Sequence, residues 1–244
     1  MRFGTDKFAL QQRLWHLATR PRPVHKLEGI LLPTALCPLA PEALFPGGSP
    51  KRALELGSGW GEYAVECLQA DPDLSWVAFE IKSDRLRSAL RRARRAGVLE
   101  RLRLIPVNFG WFLEQILPPE SFDRLIVNFP DPWPKRRHRK HRLIGPGFPG
   151  RVSGLLRPEA LVELATDHGP YARQMLRVFG QAVDFRNILP RPGFRRERPA
   201  GAPGTRFEQL TRAEKGRAAY YLRFQFHPTE AAEKELADTR AAHK

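Results

Sequence analysis

The rhythm of apolar positions changes near residue 51. Before it, Pro21, Pro23, Pro33, Pro38, Pro41, Pro46 and Pro50 interrupt every run. Residues 1–50 therefore read as an N-terminal extension with one short helix, lying over the main domain. From Lys51 onward short apolar runs alternate with amphipathic stretches. Residues 53–56 predict a strand, after which Trp60, Tyr63, Ala64, Cys67 and Leu68 recur at the spacing of one helix face until Asp71-Pro72-Asp73 ends it. Residues 76–81 predict a second strand, closing on Glu80. Ser83 or Asp84 is placed to cap a helix whose inner face is Leu86, Ala89, Leu90 and Ala93 and which stops at Gly97. Further strands are predicted at 102–107, 122–129 and 160–166, the last followed by a helix over 171–179. A Pro-, Gly- and Arg-rich loop spans 189–204, a late strand spans 218–226, and a charged tail that is helical or frayed begins at His227. Strands alternating with helices imply an α/β fold with a mostly parallel sheet and helices on both faces. The expected division is an extension at 1–50, the main domain at 51–226 and the tail at 227–244.

Composition narrows the class of partner. The chain has 244 residues, 42% of them hydrophobic, enough for one large domain with a packed core. Lys and Arg number 41 against 26 Asp and Glu, a net charge of +15 that suits a polyanion such as nucleic acid. Cys37 and Cys67 are the only cysteines, which excludes a disulfide framework, fits a reducing cytoplasm and leaves no evident metal cluster. The first residues, MRFGTDKFALQQRLWHL, lack the apolar core of a secretory signal. The longest uncharged stretch, 29–41, carries three prolines and is too short for a bilayer core of about 30 Å. The expectation is a soluble cytoplasmic protein, monomer or homodimer, with no membrane partner.

Two motifs carry chemistry. LELGSGWG at 54–61 places Gly57 and Gly59 in a turn between a strand and a helix, where backbone can approach a nucleotide-like ligand. Glu80, 25 residues after Glu55 at the end of the second strand, is positioned to accept hydrogen bonds from ribose hydroxyls. The turn lacks the Gly-x-Gly-x-x-Gly spacing and no phosphate-binding GK[ST] loop exists. An adenosine carried without phosphates fits better than a pyrophosphate cofactor, which points to S-adenosylmethionine; the acidic Glu55 suits its cationic sulfonium and amine. The second motif is NFPDPWPKRRHRKHRLI at 128–144. Three prolines stiffen the exit of the fourth strand and fix Asp131 and Trp133, and six permanent cations with two histidines follow in the eight residues 135–142. A rigid carboxylate at the functional edge of a parallel sheet beside a basic run suits a nucleobase pocket next to a phosphate track. The arginines at 91, 92, 94 and 95 fall on the outer face of an ordinary helix and read as solvated, with distal RNA contact as the lesser alternative.

Together LELGSGWG, FEIKSDRL, FPDPWPKRRHRKHR and the late GTRFE closely resemble the bacterial tRNA (guanine-N7)-methyltransferase family over 51–226. The resemblance implies a Rossmann-like class I S-adenosylmethionine-dependent fold, a seven-stranded sheet whose one antiparallel strand is the late one, and methylation of a variable-loop guanine at tRNA position 46. It implies that Glu55, Glu80 and Asn108 contact the cofactor and that Asp131 is the active-site carboxylate, also near the cofactor. Lys135, Asp167 and the segment Thr205, Arg206, Phe207 and Glu208 would bind substrate. Arg137, His138, Arg139, Lys140, His141 and Arg142 would touch RNA. Two departures are visible: the glycine loop carries a small serine in its middle, and Asn108 stands where the family often has Asp. Guanine N7 carries a lone pair and no proton, so the implied reaction needs no general base. An exocyclic-amine methyltransferase would carry an Asn/Asp-Pro-Pro-aromatic box, and the segment after Asn128 is two residues too long for it. A non-catalytic RNA-binding protein with a decayed site sits badly with intact Glu55, Glu80 and Asp131.

Overall fold

The computed structural model describes residues 7–45, 47–216 and 218–229; the expectation of a helical or frayed tail falls largely on residues outside these. Seven strands, β1 (Lys51–Leu56), β2 (Leu74–Phe79), β3 (Leu102–Ile105), β4 (Phe122–Asn128), β5 (Leu156–Thr166), β6 (Phe185–Asn187) and β7 (Tyr220–Phe226), form one sheet in the order β3-β2-β1-β4-β5-β7-β6. Strands β1 to β5 are parallel, while β7 runs antiparallel to both β5 and β6. The fold is the Rossmann-like α/β architecture expected, with the late strand as the reversed one. The chain winds outward from β1 in one direction and from β4 in the other. The crevice between the carboxyl ends of these two strands is therefore the switch point where such sheets bind ligands.

Among the described residues eight α-helices accompany the sheet: α1 (Lys7–Ala18), α2 (Pro41–Leu44), α3 (Glu62–Ala70), α4 (Ser83–Arg95), α5 (Phe109–Ile116), α6 (Phe148–Ser153), α7 (Gly169–Gly180) and α8 (Arg206–Lys215). On one face Leu68 of α3 and Leu86, Ala89, Leu90 and Ala93 of α4 pack on Ala53, Trp76 and Leu104. On the other, Phe112 of α5, Phe148 of α6 and Phe179 of α7 pack on Leu54, Phe79 and Phe224. The segment before Lys51 joins both cores. Trp15 of α1 meets Phe112 edge-on at 5.1 Å, Val24 enters the α4 side, and residues around Ile30 bridge to Leu104 beside β3.

Several local expectations shift. Strand β2 ends at Phe79 because the N–H groups of Ile81 and Lys82 are taken by the Glu80 carboxylate instead of a neighbouring strand. Neither Ser83 nor Asp84 caps α4: the turn enters the helix one residue earlier, at Lys82, without a side-chain cap. Strand β5 begins at Leu156, four residues before the apolar run that predicts it. Helices α5, α6 and α8 and the three-residue β6 have no counterpart in the sequence reading, and the segment before Lys51 holds two helices, α1 and α2, where one is expected. No helix among the described residues is long and apolar enough to cross a membrane.

Candidate active site

The turn leaving β1 runs through Gly57, Gly59 and Gly61, all with left-handed backbone, at φ 88°, 57° and 78°. A Cβ on Gly57 or Gly59 would meet nothing within 4 Å, so these two leave the mouth of the turn open. A Cβ on Gly61 would lie 2.4 Å from Cβ of Ala89, so this glycine lets α3 start hard against α4. The N–H groups of Gly57 and Ser58 both donate to Phe79 O at 3.0 Å, tying the turn to β2.

Two carboxylates stand behind this turn. Glu55 is buried and accepts from Trp76 Nε1 at 3.1 Å. Burial pushes its carboxyl up to about 8 against the relief from Trp76, and the nearby charges of Glu62 and Glu80 push the same way. Glu80 Oε1 accepts from Ile81 N at 2.8 Å and Lys82 N at 2.9 Å, while Oε2 faces Arg85 at 3.4 Å. One oxygen is thus locked by backbone and the other held only by a long ion pair. Asn108, at the exit of β3, accepts from Gly110 N at 2.9 Å and caps α5. Glu80 and Asn108 lie along the same sheet edge as a cleft of about 270 Å³ that Glu55, Gly57, Gly59, Trp60, Tyr63 and Phe129 help to line. Four further lining residues carry buried polar atoms without a hydrogen-bond partner: Ser58 Oγ, Glu62 Oε2, Arg85 Nε and Asn128 Nδ2. Buried polar atoms are rarely left unpaired, so this set describes a ligand's polar groups in outline. The acidic side chains and hydrogen-bonding groups fit the amine and ribose of S-adenosylmethionine, and the guanidiniums of Arg85 and Arg206 lie over Trp60 in the same cleft wall. Among the described residues no cluster of three or more His, Cys, Asp or Glu could hold a metal.

The exit of β4 forms the second half. Phe129 and Trp133 adopt left-handed backbone, φ 50° and 38°, on either side of the exposed Asp131. Each costs about 1 kcal/mol for an L-residue, and flanking prolines hold the turn in place. Residues 136–141 make a 3-10 turn, Arg136–His141, with Trp133 stacked on His138 at 5.9 Å and tilted against His141 at 5.4 Å. Lys135, Arg137, Arg139, Lys140 and His141 are exposed, and His138, half-buried, accepts from Arg137 Nε at 3.0 Å.

Arg142 corrects the reading of a single RNA-facing run. Its guanidinium turns inward, 4.8 Å over the Tyr171 ring, with Nε donating to Pro132 O and Nη1 to Gln174 Oε1, both at 2.7 Å. Tyr171 and Gln174 of α7 also hold Ile144, through its N–H at 2.9 Å and its carbonyl at 2.8 Å. Arg142 thereby buttons the Asp131 turn to α7.

The third part comes from the start of α8, the segment 205–208 that the GTRFE resemblance marks as substrate-binding, although the helix itself has no counterpart in the sequence reading. Thr205 Oγ1 accepts from Glu208 N at 3.0 Å and starts the helix. Arg206 N donates to Glu62 Oε1 at 2.7 Å, its guanidinium lies 5.0 Å over Trp60, and Phe207 rests against Phe129 at 5.2 Å. This end of α8 therefore bridges the exits of β1 and β4. The Glu208 carboxylate is already engaged, by Tyr221 Oη at 2.6 Å and by Arg198 at 3.1–3.3 Å. A second cavity of about 230 Å³ opens behind it and shares Tyr63, Asn128, Phe129 and Thr205 with the first. Asp167, half-buried after β5, lines a separate shallow recess with His168 and Tyr220. Ser58, Glu62, Asn128, Arg198 and Tyr221 are site residues that the sequence reading passes over; Glu62, an acid in the first turn after a glycine loop, was the one with a visible signal.

Residues 50–221 match a family described as "Putative methyltransferase". The chain is 33% identical over 213 residues to a tRNA (guanine-N(7)-)-methyltransferase of Leptospira interrogans, covering 87% of this chain and 95% of that one. It is 41% identical over 162 residues to the enzyme of that name from Streptomyces avermitilis, covering 66% and 55%. The one from Nitrosomonas eutropha shares 35% over 193 residues, covering 76% and 82%. Among solved structures, the 16S rRNA methyltransferase KamB superimposes with a TM-score of 0.54 at 16% identity, over 77% of this chain and 91% of that one, a likeness of fold alone. With the family match spanning the glycine turn, the Asp131 turn and the start of α8, and a relative matched nearly end to end, the chain belongs to the bacterial tRNA (guanine-N7)-methyltransferase family.

Proposed function

We propose that the protein transfers the methyl group of S-adenosylmethionine to N7 of the guanine at position 46 in the tRNA variable loop. The observation that carries this reading is the meeting, at the β1–β4 switch point, of a cleft with four unpaired polar atoms beside Glu55 with a rigid carboxylate turn and its cationic run. Glu55, Ser58, Glu62, Asn128 and the glycines would hold the cofactor, with Glu80 toward the ribose and Asn108 toward the adenine. Bound there, the cofactor supplies a methyl group on an electron-poor sulfonium. The protein's own task is then to bring N7 into line, since its lone pair needs no base to expose it. Asp131 faces the positive charge that the imidazole ring of guanine gains, and its stiff backbone means little reorganisation is needed. Asp167 offers acceptors for guanine N1–H and the exocyclic amine. Glu208, held by Arg198 and Tyr221, shapes the Thr205 turn beside the base. Lys135, Arg137, Arg139 and Lys140 take the RNA backbone, and the target must leave its stack to reach the cleft. tRNA is the partner and the cytoplasm the compartment on this reading. Nucleoside mass spectrometry of unmodified tRNA transcripts treated with protein and cofactor tests it. 7-Methylguanosine should appear and should vanish from a transcript carrying adenine at position 46; an N2- or N6-methylated nucleoside instead would overturn it.

A further inference from the structure

Helix α4 carries more positive charge than a helix needs. Arg87, Arg91, Arg92, Arg94 and Arg95 are all exposed, and the sole acid in its first turn is Asp84. Cations near the carboxyl end are favoured by the helix dipole, which accounts for Arg92, Arg94 and Arg95 but not for Arg87 or Arg91. Arg87, Arg91 and Arg95 recur every four residues, so they stack along one outer line about 6 Å apart, where like charges repel and weaken the helix. Their line is opposite to the buried Leu86, Ala89, Leu90 and Ala93.

The surroundings extend this row. The 3-10 turn Pro23–Lys26 docks on the same side through Val24, which is buried with Leu86 and Leu90, and it carries exposed Arg22 and Lys26. Arg94 is tied to Glu28 at 3.1 Å, which fastens this N-terminal turn to α4. The helix begins three residues beyond Glu80 at the sheet edge of the site and runs 13 residues away from it, about 20 Å. In the strand order β2-β1-β4, it lies on the opposite side of the glycine turn from the cationic run after β4.

We propose that the outer face of α4, with Arg22 and Lys26, is a second contact surface for the phosphate backbone of RNA, on the far side of the cofactor cleft from residues 135–141. This rests on tRNA being the substrate. The run after β4 grips the backbone near the target, while the α4 row holds a remote part of the same folded molecule. Among the described residues no acid pairs with Arg87, Arg91 or Arg95, and such a row of guanidiniums fits a phosphate track and does not read bases.

The test uses the full-length protein with Arg87→Gln, Arg91→Gln and Arg95→Gln combined; glutamine keeps helix propensity. The log–log salt slope of tRNA binding should flatten by about two to three units, and affinity at moderate salt should fall roughly tenfold to a hundredfold. Cofactor affinity should stay at the wild-type value. The matching triple lysine variant should restore the slope. If the glutamine variant folds poorly, Arg91→Glu alone should still remove about one unit. A slope equal to wild type in these variants overturns the α4 surface. Loss of tRNA binding or of 7-methylguanosine formation in the wild-type protein would instead strike the function proposed above.

Discussion

The exits of β1 and β4 are neighbours at one sheet edge and are built on opposite terms. The β1 exit is flexible in sequence and closed in structure: three glycines, a buried Glu55 locked to Trp76, and polar atoms turned inward without partners. The β4 exit is rigid in backbone and open at its side chains: three prolines, strained Phe129 and Trp133, an exposed Asp131 and a solvent-facing cationic turn. The first arrangement suits a small ligand that can be enclosed, because buried groups keep their strength when salt is added. The second suits a long polyanion that cannot be enclosed and is held by exposed charge, at the mercy of salt. The two affinities should therefore be separable by ionic strength, and the following substitutions sharpen or break that division.

The largest effect is expected at the junction of the two halves. Asp131→Asn keeps shape but removes the charge facing the methylated ring, and single-turnover rates at saturating cofactor and tRNA should fall on the order of 10²–10³-fold. Binding of tRNA should change by no more than a few-fold. A near-normal rate would mean that the turn acts through its shape alone. Gly61→Ala comes next: at φ 78°, with its Cβ 2.4 Å from Ala89 Cβ and 2.8 Å from Ala89 Cα, α3 must lift off α4. A loss of about 2–4 kcal/mol in urea unfolding is expected, and an unchanged midpoint would show that the helices part easily. Glu80→Ala should weaken S-adenosylmethionine binding by about 1–3 kcal/mol in calorimetry and leave RNA affinity alone.

Glu55 adds a pH signature to the closed half. The folded protein keeps its proton up to about 8, whereas the unfolded chain releases it near 4.5. Between those limits the native state binds the extra proton, so this group's contribution favours the fold at low pH and declines as pH rises through the window. Wild-type stability should fall relative to Glu55→Gln from pH 5 to pH 8; parallel curves would mean that the carboxylate is ionised throughout. The smallest effect belongs to the open half. Arg137→Ala with Arg139→Ala should flatten the tRNA salt slope by up to about two units, whereas Arg142→Ala should leave the slope intact and lower thermal stability through loss of its Pro132 and Gln174 bonds. Equal slopes for both variants would put all three arginines back into one class.

That last contrast marks where the sequence is legible. The glycine turn, Glu55 and Glu80 depend on neighbours in the chain or on one strand–helix–strand unit, and their places at the edge follow from periodicity. Arg142 is inconspicuous within a run of cations because its partner Gln174 lies 32 residues away on another helix. Helix α8 hides for a related reason: its apolar positions are few, and what seats it is Arg206 N on Glu62, 144 residues distant. Strand β6 has three residues, too short for alternation to show. Helix α5 packs Phe112, Leu113 and Ile116 within eight residues, a run that reads equally as strand or loop.

Trp76 has a consequence for how the protein can be watched. Its indole is fully buried in β2 and its ring N–H touches the Glu55 carboxylate, while Trp111 and Trp133 sit toward solvent, Trp60 is half-buried in the cleft wall and Trp15 is buried against Phe112. Indole emission responds to a charge placed beside the ring. A single side chain buried behind the cleft therefore acts as an optical gauge of the Glu55 carboxylate, and its signal should move when a cation settles there and when the proton leaves. Filling of the cleft can then be timed without a label, in the same sample in which RNA joins.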